Sequence, residues 1–315
     1  MANITVLGGD GFIGRHLVAR LAGLTDEMHN IRVFSRFSNY KSGDRHPFQE
    51  LSNVTIIPGD FSNRNEVSSA IEKADYVFHL ISTTNPATSS EEPLAEVDTN
   101  IRFTIELLES CVYHKVKKVI FLSSGGTVYG DVDSSTINEQ TLPLPRSPYG
   151  IGKITIEHYL RYFKHTHGLD YIVYRVANPY GPGQNIYGKQ GVIPIFMRSL
   201  LTNSTITVYG DGTMVRDYIY IDDLINMITT SYAKSSQSEV YNLGSGSGVT
   251  INQIISTIEK CTGGHLKKIY TETPSTFVHK SVLDIQRFTQ EFGFKHPLSL
   301  EDGIKRTWDY VKEIK

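Results

Sequence analysis

The chain has 315 residues, 39% of them hydrophobic and 20% charged, and these proportions are typical of a globular protein with a sizeable core. A formal net charge of −2 excludes a broad cationic surface for nucleic acid or anionic membranes, so a few placed cations must hold any anionic ligand. Cys111 and Cys261 are the only cysteines, which excludes a disulfide framework. Without a signal-peptide pattern or an apolar stretch of ~20 residues, we expect a soluble, cytoplasmic protein.

Short β-rich apolar segments alternate with segments of helical periodicity along the first part of the chain. The predicted strands are Ile4–Leu7, Ile31–Ser35, Val54–Ile57, Tyr76–Ile81, Val119–Ser123 and Tyr171–Val176. The predicted helices are Phe12–Leu21, Asn63–Ile71, Leu94–Tyr113 and Tyr149–His165. This alternation predicts an α/β fold with a Rossmann-type doubly wound parallel sheet, in which ligands bind at the carboxyl ends of the strands.

The second part of the chain is less regular, with glycine-rich loops and a turn at Tyr209. We therefore expect a dinucleotide-binding domain over residues 1–178, to which segments near 205–230 return. Residues 179–315 are expected to form mainly a smaller α/β substrate-binding lobe.

A glycine motif follows the first predicted strand and opens a helix. It places Gly8, Gly11 and Gly14 in the pattern Gly-x-x-Gly-x-x-Gly. Residues without a Cβ permit a tight turn and allow the backbone N–H groups of the helix N-terminus to approach a pyrophosphate. We assign Gly8, Gly11, Phe12, Ile13 and Gly14 to a dinucleotide cofactor.

The second and third predicted strands end in residues suited to the adenosine end of that cofactor. NAD sites commonly carry an acid after the second strand, whereas this chain carries Ser35 and Arg36, which can hold the 2′-phosphate of NADP. NADP is therefore favoured over NAD, although Arg36 could also stack on the adenine of NAD. Asp60, followed by Phe61, either accepts from the adenine amino group or caps the next helix.

A tyrosine and a lysine lie four residues apart at the start of a predicted helix. Tyr149 and Lys153 therefore share one helix face. A free tyrosine has a pKa near ~10, and a nearby ammonium group or oxidised nicotinamide favours the phenolate. Tyr149 can then exchange a proton with a hydroxyl as hydride leaves or reaches the same carbon.

Together these motifs resemble the extended short-chain dehydrogenases/reductases of the NAD-dependent epimerase/dehydratase family, close to the UDP-glucose 4-epimerase group. The resemblance extends over nearly the whole chain. Its further motifs are Phe78-His-Leu80, Asn100, Ser123–Gly130, Arg175-Val-Ala-Asn178-Pro-Tyr-Gly-Pro-Gly, Gly210-Asp-Gly, Arg216-Asp-Tyr-Ile-Tyr-Ile-Asp-Asp223, Tyr241-Asn-Leu-Gly-Ser-Gly and Val282-Leu-Asp284.

The resemblance implies roles for individual residues. Tyr149 is the implied acid–base group, and Lys153 is implied to bind the nicotinamide ribose and tune Tyr149. The implied cofactor contacts also include Leu80, Ile81, Ser82 and Asn100. The implied substrate contacts are Thr127, Asn178, Val192, Tyr209, Arg216 and Lys280, with Asn178 and Arg216 on the diphosphate and Tyr209 on the base.

Two positions depart from the family pattern. The family carries Ser or Thr where this chain has Gly125, so Ser124 or Thr127 is expected to supply the hydroxyl for the reacting oxygen, with Thr127 preferred. An arginine that often precedes the Val-Leu-Asp segment is also missing. Lys280 or His279 takes its place, or Arg216 holds the diphosphate alone.

Four functions are compatible with the residues to different degrees. A nucleotide-hexose 4-epimerase is our first expectation, and an NADPH-dependent reductase of a nucleotide-linked 4-keto-6-deoxyhexose is the alternative. A 4,6-dehydratase is disfavoured, because Gly126 and Thr127 replace the acid pair that it needs. A non-catalytic cofactor sensor is disfavoured by the intact Tyr149 and Lys153.

The resemblance further implies a homodimer that pairs helices Leu94–Tyr113 and Tyr149–His165, and no metal site is expected.

Overall fold

The computed structural model describes residues 1–24, 28–38, 47–188, 190–274, 277–294 and 297–314. The strands are β1 (Asn3–Leu7), β2 (Asn30–Ser35), β3 (Val54–Pro58), β4 (Tyr76–His79), β5 (Lys118–Ser124), β6 (Asp170–Val176), β7 (Asn178–Tyr180), β8 (Ile206–Tyr209), β9 (Val215–Tyr220), β10 (Val240–Leu243), β11 (Gly248–Thr250), β12 (Lys268–Thr271) and β13 (Lys280–Ser281).

The helices are α1 (Phe12–Ala22), α2 (Arg64–Ile71), α3 (Pro86–Glu91), α4 (Pro93–Ala95), α5 (Arg102–Tyr113), α6 (Pro148–His167), α7 (Val192–Thr202), α8 (Ile221–Ser231), α9 (Ile251–Thr262), α10 (Gln286–Phe292) and α11 (Leu300–Glu313). A π-helical segment, Glu96–Ile101, joins α4 to α5. Within the described ranges, no helix is long and apolar enough to cross a membrane.

The main sheet has seven strands in the order β10-β6-β5-β4-β1-β2-β3. Strand β1 pairs in parallel with β2 and β4, and the β2–β3 and β4–β5 pairs are parallel as well. The chain is buried along nearly all of β5, as expected for a parallel strand covered on both faces. The predicted α/β fold with a Rossmann-type sheet and a smaller lobe is confirmed.

The chain divides into two compact units. The first comprises residues 1–124, 147–174 and 228–240, and the second comprises 125–146, 175–227 and 241–315. This division differs from the expected boundary at residue 178. Residues 125–146 group with the second unit, and the segment that returns to the first unit is 228–240 instead of 205–230. The boundary could not be predicted from the sequence, because each unit is defined by contacts between segments that lie far apart in the chain.

The first unit has its apolar core between the sheet and helices α2, α5 and α6. The core includes Leu7 and Val77 from strands, Leu107 from α5 and Leu160 from α6, none more than 1% exposed. Each helix contributes one apolar face, as its spacing predicts. The core thereby fixes the strand ends that carry the glycine motif and the start of α6.

The second unit contains a four-stranded mixed sheet and a two-stranded sheet. Strand β9 pairs in parallel with β7 and β13 and antiparallel with β11, while β8 pairs in parallel with β12. Helices α7, α9 and α11 pack against one another. This arrangement brings residues from β7, β9 and β13 to one sheet.

Several element boundaries differ from the sequence expectation, and two of these differences concern the site. The helix expected over Leu94–Tyr113 is interrupted by the π segment, and β4 ends at His79 instead of Ile81. The extra residue of a π turn is invisible to a helical periodicity of 3.6 residues.

Candidate functional site

The glycine turn in the first unit forms a cradle that side chains would fill. Gly8 has a positive φ of 81°, and a Cβ there would lie 3.0 Å from Ile81 Cγ1. A Cβ on Gly14 would lie 2.5 Å from the carbonyl oxygen of Gly8. Helix α1 begins at Phe12 and has no side-chain cap at Gly11, so a ligand can approach its N-terminus. These features fit the pyrophosphate of a dinucleotide.

The loop after β4 packs against this cradle and is held by Asn100. The N–H of Leu80 donates to the Leu7 carbonyl oxygen over 3.0 Å. Asn100 Oδ1 accepts from the N–H of Thr83 at 3.0 Å. The π segment that contains Asn100 therefore fixes the loop of Leu80, Ile81 and Ser82 beside the glycine turn. These assigned cofactor residues lie together in the first unit.

At the expected adenosine end, Ser35 is the last residue of β2 and Arg36 is exposed. Asp60 Oδ1 accepts from the backbone N–H of Ser62 at 2.8 Å and from its hydroxyl at 2.7 Å. These hydrogen bonds, together with the charge of Arg36, lower the pKa of Asp60. Asn63 is the N-cap of α2, so Asp60 does not cap this helix.

The side chain of Phe61 points into the apolar core, unlike that of its neighbour Asp60. Its side chain is 7% exposed and lies in the apolar core, with its ring centroid 5.2 Å from that of His79. Contact with a cofactor is therefore open to its backbone and not to its ring. The sequence motif alone could not distinguish these two ways of lining a site.

Tyr149 and Lys153 lie one turn apart at the start of α6. Ser147 caps this helix by accepting from the N–H of Gly150 at 3.2 Å. Lys153 is 5% exposed, and its Nζ lies 5.5 Å from the centroid of the Tyr149 ring. Lys153 Nζ also donates to the Leu122 carbonyl oxygen over 3.2 Å. The expected tyrosine–lysine pair is thus formed within one unit.

The pKa values of this pair move in the directions that burial dictates. Burial raises the pKa of Tyr149 to about 12, the charge of Glu96 adds to this, and a hydrogen bond with Ser124 opposes it. Burial lowers the pKa of Lys153 to about 8, against the charges of Glu96 and Glu157. Burial and the charge of Glu96 are the largest influences on the pKa of Tyr149, so the predicted effect of Lys153 on the phenolate stays a prediction.

Two acids near this pair, Glu96 and Glu157, were not among the predicted site residues. Glu96 Oε2 accepts from Asn100 Nδ2 at 3.0 Å, and Glu157 Oε1 accepts from the Ser123 hydroxyl at 2.6 Å. Each acid lies four residues from an assigned residue of the same segment, Asn100 or Lys153. This four-residue spacing could have pointed to the two acids, but exposed side-chain pairs on ordinary helices have the same spacing.

The side chain of Leu283 occupies the space beside Gly125, where the family carries a serine or threonine. A Cβ on Gly125 would lie 2.5 Å from Leu283 Cδ1, so a serine or threonine has no room there. The Ser124 hydroxyl acts on Tyr149 and lowers the pKa of this phenol. Thr127 Oγ1 is buried, and it has no hydrogen-bond partner among the residues that the structure describes. Ser124 lies in the same unit as Tyr149, and the preference for Thr127 stays a prediction.

In the second unit, neighbouring strands bring together three of the expected substrate residues. Asn178 on β7 lies opposite Tyr218 of β9, and Lys280 on β13 lies opposite Val215 of β9. Arg216 belongs to β9 itself. Asn178 Nδ2 donates to the Asp217 carbonyl oxygen over 2.8 Å. Residues that are distant in the sequence thus share one small sheet.

The guanidinium group of Arg216 is held by backbone oxygens. It donates to the carbonyls of Val215, at 2.9 Å, and His279, at 3.2 Å, and also to that of Val278. The adjacent carboxylate of Asp217 instead accepts from the Ser245 N–H and hydroxyl, at 2.8 and 2.6 Å. Neutral acceptors orient Arg216 without cancelling its charge, which suits an anionic ligand.

The remaining expected substrate residues lie on other elements of the second unit. Tyr209 ends β8, is 42% exposed, and has its ring centroid 5.3 Å from that of Phe277. Val192 is the first residue of α7 and is half-buried. An exposed tyrosine edge next to a second aromatic ring is compatible with stacking on a base.

Comparison with known proteins decides the family. The profile of the NAD dependent epimerase/dehydratase family matches residues 4–244. The chain belongs to this family. It is thus a member of a family of NAD-dependent enzymes that modify nucleotide sugars, as the sequence motifs indicated.

Individual members of the family differ in the reaction that they catalyse. The chain is 34% identical to the UDP-glucose 4-epimerase of Thermotoga maritima, solved with UDP-glucose, with 99% of each chain covered and a TM-score of 0.90. The UDP-glucose 4-epimerase of Thermus thermophilus, solved with NAD, is 27% identical, with 98% of this chain and 99% of that chain covered and a TM-score of 0.89. A dTDP-4-dehydro-6-deoxyglucose reductase of Escherichia coli is 31% identical over 96% of this chain and 95% of its own length.

These relatives bear on the expected cofactor. The Thermus thermophilus enzyme is solved in complex with NAD, and the family is described as NAD dependent. The preference for NADP expected from Ser35 and Arg36 has no support from these proteins. The cradle of Gly8 to Gly14 fits the pyrophosphate that both cofactors share.

Proposed function

We propose that the protein is a nucleotide-hexose 4-epimerase that acts on a sugar of the UDP-glucose or UDP-N-acetylglucosamine type. The observation that carries this proposal is the arrangement of Tyr149, Lys153 and Ser124 in one unit with the glycine cradle. An acid–base group beside a dinucleotide cradle can exchange a proton with a sugar hydroxyl. The epimerases of Thermotoga maritima and Thermus thermophilus support the choice of reaction.

Tyr149 moves the proton in this reaction. Its Oη takes the proton of the C4 hydroxyl, and the sugar becomes a 4-ketone as it loses hydride. Tyr149 then returns the proton to the oxygen after the ketone has turned its other face, so substrate and product have the same oxidation state. When bound, NAD would supply the hydride acceptor and donor, and the positive charge of its oxidised ring would favour the phenolate of Tyr149. Ser124 stabilises the phenolate through its hydrogen bond, and Lys153 adds a cation on the same helix face.

Arg216 and Asn178 would hold the diphosphate of the substrate. Arg216 is oriented by backbone carbonyls, which leaves its positive charge for an anion. Lys280, on the neighbouring strand β13, adds a second cation, and Tyr209 would stack on the base. A net protein charge of −2 makes such placed cations necessary for an anionic substrate.

The proposal is tested by incubating the purified protein with UDP-glucose or UDP-N-acetylglucosamine without added cofactor. Proton NMR then follows the appearance of the 4-epimer. We expect equilibration of the two epimers, and Tyr149→Phe should lower the rate at least ~100-fold, the range of general acid–base catalysis. Near-normal turnover of Tyr149→Phe would remove Tyr149 from its proposed role.

A reductase of a nucleotide-linked 4-keto-6-deoxyhexose is the second candidate. Arg36 at the end of β2 favours it, because a guanidinium there can pair with the 2′-phosphate of NADPH. The Escherichia coli reductase also supports it. Here Tyr149 would donate a proton to the C4 oxygen as hydride reaches C4. Stoichiometric loss of NADPH absorbance with dTDP-4-dehydro-6-deoxyglucose, without epimerisation of UDP-sugars, would select this candidate.

We also propose a homodimer formed through α5 and α6. Ile151 and Tyr162 lie eleven residues apart on one face of α6 and are 52% and 53% exposed, and Tyr113 at the end of α5 is 80% exposed. Pairing with a second copy would cover these apolar side chains. Sedimentation should give twice the chain mass, and Ile151→Glu should shift it toward the monomer. A monomeric wild-type protein would contradict this proposal.

A further inference from the structure

A buried carboxylate that has no role in the proposed reaction lies against the catalytic helix. Glu96 begins the π segment and is 2% exposed. Its Oε2 accepts from Asn100 Nδ2 at 3.0 Å and from the Thr84 hydroxyl. Its Oε1 is buried and has no hydrogen-bond partner in the described part of the chain. Carboxylates are rarely buried in this way unless a charge or a proton compensates them.

The second oxygen of Glu96 lies on the bare backbone of Gly152. A Cβ on Gly152 would overlap Glu96 Oε1, so only glycine at this position lets the carboxylate approach α6 so closely. Gly152 stands between Tyr149 and Lys153 in the sequence of that helix. The carboxylate therefore reaches α6 at the turn that carries the acid–base pair.

The geometry points to Glu96 as a positioning residue of the acid–base pair. Its carboxylate, which lies on Gly152, favours the protonated forms of Tyr149 and Lys153 and thereby sets the pH range of turnover. This inference rests on the proposed function of Tyr149. The negative charge of Glu96 opposes the phenolate and supports the ammonium group. The π segment, fixed by Asn100, provides the rigid support for this charge.

Among the described residues, Glu157 and His79 also face the pair. Glu157, one turn further along α6, acts on Lys153 and accepts from Ser123. His79 on β4 is buried next to Lys153, and burial keeps it neutral with a pKa of about 3. Glu96 acts on both members of the pair, whereas Glu157 contributes to the pKa of Lys153 and is not among the groups that shift Tyr149. This difference makes Glu157 a matched control.

The test compares Glu96→Gln, Glu96→Asp and Glu157→Gln with the wild-type protein in the pH dependence of kcat/KM. The amide of Glu96→Gln keeps an oxygen for Asn100 and Thr84 but removes the charge. We expect its acidic and alkaline limbs both to move to lower pH by about one unit or more, the effect of a neighbouring charge. Glu157→Gln should move only the limb that reports Lys153, and Glu96→Asp should restore the wild-type position of the limb that reports Tyr149.

A second measurement does not depend on turnover. The pKa of Lys153 is lowered from 10.5 to about 8, so the unfolded chain binds more protons between these values and stability rises with pH across this window. In Glu96→Gln the rise should begin below pH 8, as measured by urea unfolding of the protein without cofactor.

The possible outcomes separate the two proposals. Glu96→Gln could lower kcat/KM equally at every pH and leave the pH dependence of stability unchanged. That result would show that Glu96 has only a structural role and would overturn the inference. Full activity of Tyr149→Phe would instead overturn the proposed function, on which the pH profile depends. Shifted limbs with a restored profile in Glu96→Asp would support both.

Discussion

Substituting Gly125 by alanine tests whether packing excludes the hydroxyl that the family carries at this position. The new Cβ would lie 2.5 and 2.9 Å from the two methyl carbons of Leu283 and 3.1 Å from the carbonyl oxygen of Arg175. Leu283 is 1% exposed, so it cannot move without disturbing its neighbours. Overpacking of this kind costs about 1–3 kcal/mol, which exceeds the ~0.4–1 kcal/mol gained by restricting the unfolded chain.

The adjacent glycine provides the control. A Cβ on Gly126 would approach nothing closer than Asn178 Nδ2, at 3.8 Å, which is an ordinary contact. We therefore expect Gly126→Ala to change the free energy of unfolding by less than about 0.5 kcal/mol. Urea unfolding followed by circular dichroism measures both variants, and the midpoints are compared at equal m-values.

A double variant identifies the group that causes the clash. Leu283→Ala alone should cost about 2–5 kcal/mol through the cavity that it leaves. In that background Gly125→Ala should cost at least ~1 kcal/mol less than it does in the wild-type protein, because the new methyl group enters the cavity. If Gly125→Ala proves as stable as Gly126→Ala in the wild-type background, the packing argument is refuted.

Three further predictions follow from the first unit. Ser124→Ala should lower kcat/KM about 10–100-fold, the worth of a hydrogen bond to a charged group, and a larger loss in Thr127→Val would return the role to Thr127. Arg36→Ala should lower the ratio of NADPH to NADH affinity at least ~10-fold in calorimetric titrations, and an unchanged ratio would show that Arg36 does not read the 2′-phosphate. The pKa of His79 is lowered from 6.5 to about 3, so the unfolded chain binds the extra proton and stability falls as pH drops through this range. His79→Gln should remove up to about 1.4 kcal/mol per pH unit of this dependence in urea unfolding between pH 6.5 and 4.5, and an unaltered slope would contradict the burial argument.

Local patterns in the sequence were sufficient for the main sheet and for part of the site. Continuous apolar runs predict parallel strands, because both faces of such strands are covered. The glycines from Gly8 to Gly14 indicate a cradle because their spacing fits one strand–helix turn. Tyr149 and Lys153 share a face because one helical turn separates them. Each of these inferences needs only neighbouring residues and the geometry of one element.

Only the tertiary structure decided the features that depend on contacts between distant segments. Leu283 fills the space beside Gly125, and Glu96 rests on Gly152, although neither pair is close in sequence. The raised pKa of Tyr149 also depends on burial, which no spacing rule reports. Side-chain packing and desolvation are set by the whole fold, so they determined which groups shift the pKa of Tyr149 and which charge opposes its ionisation.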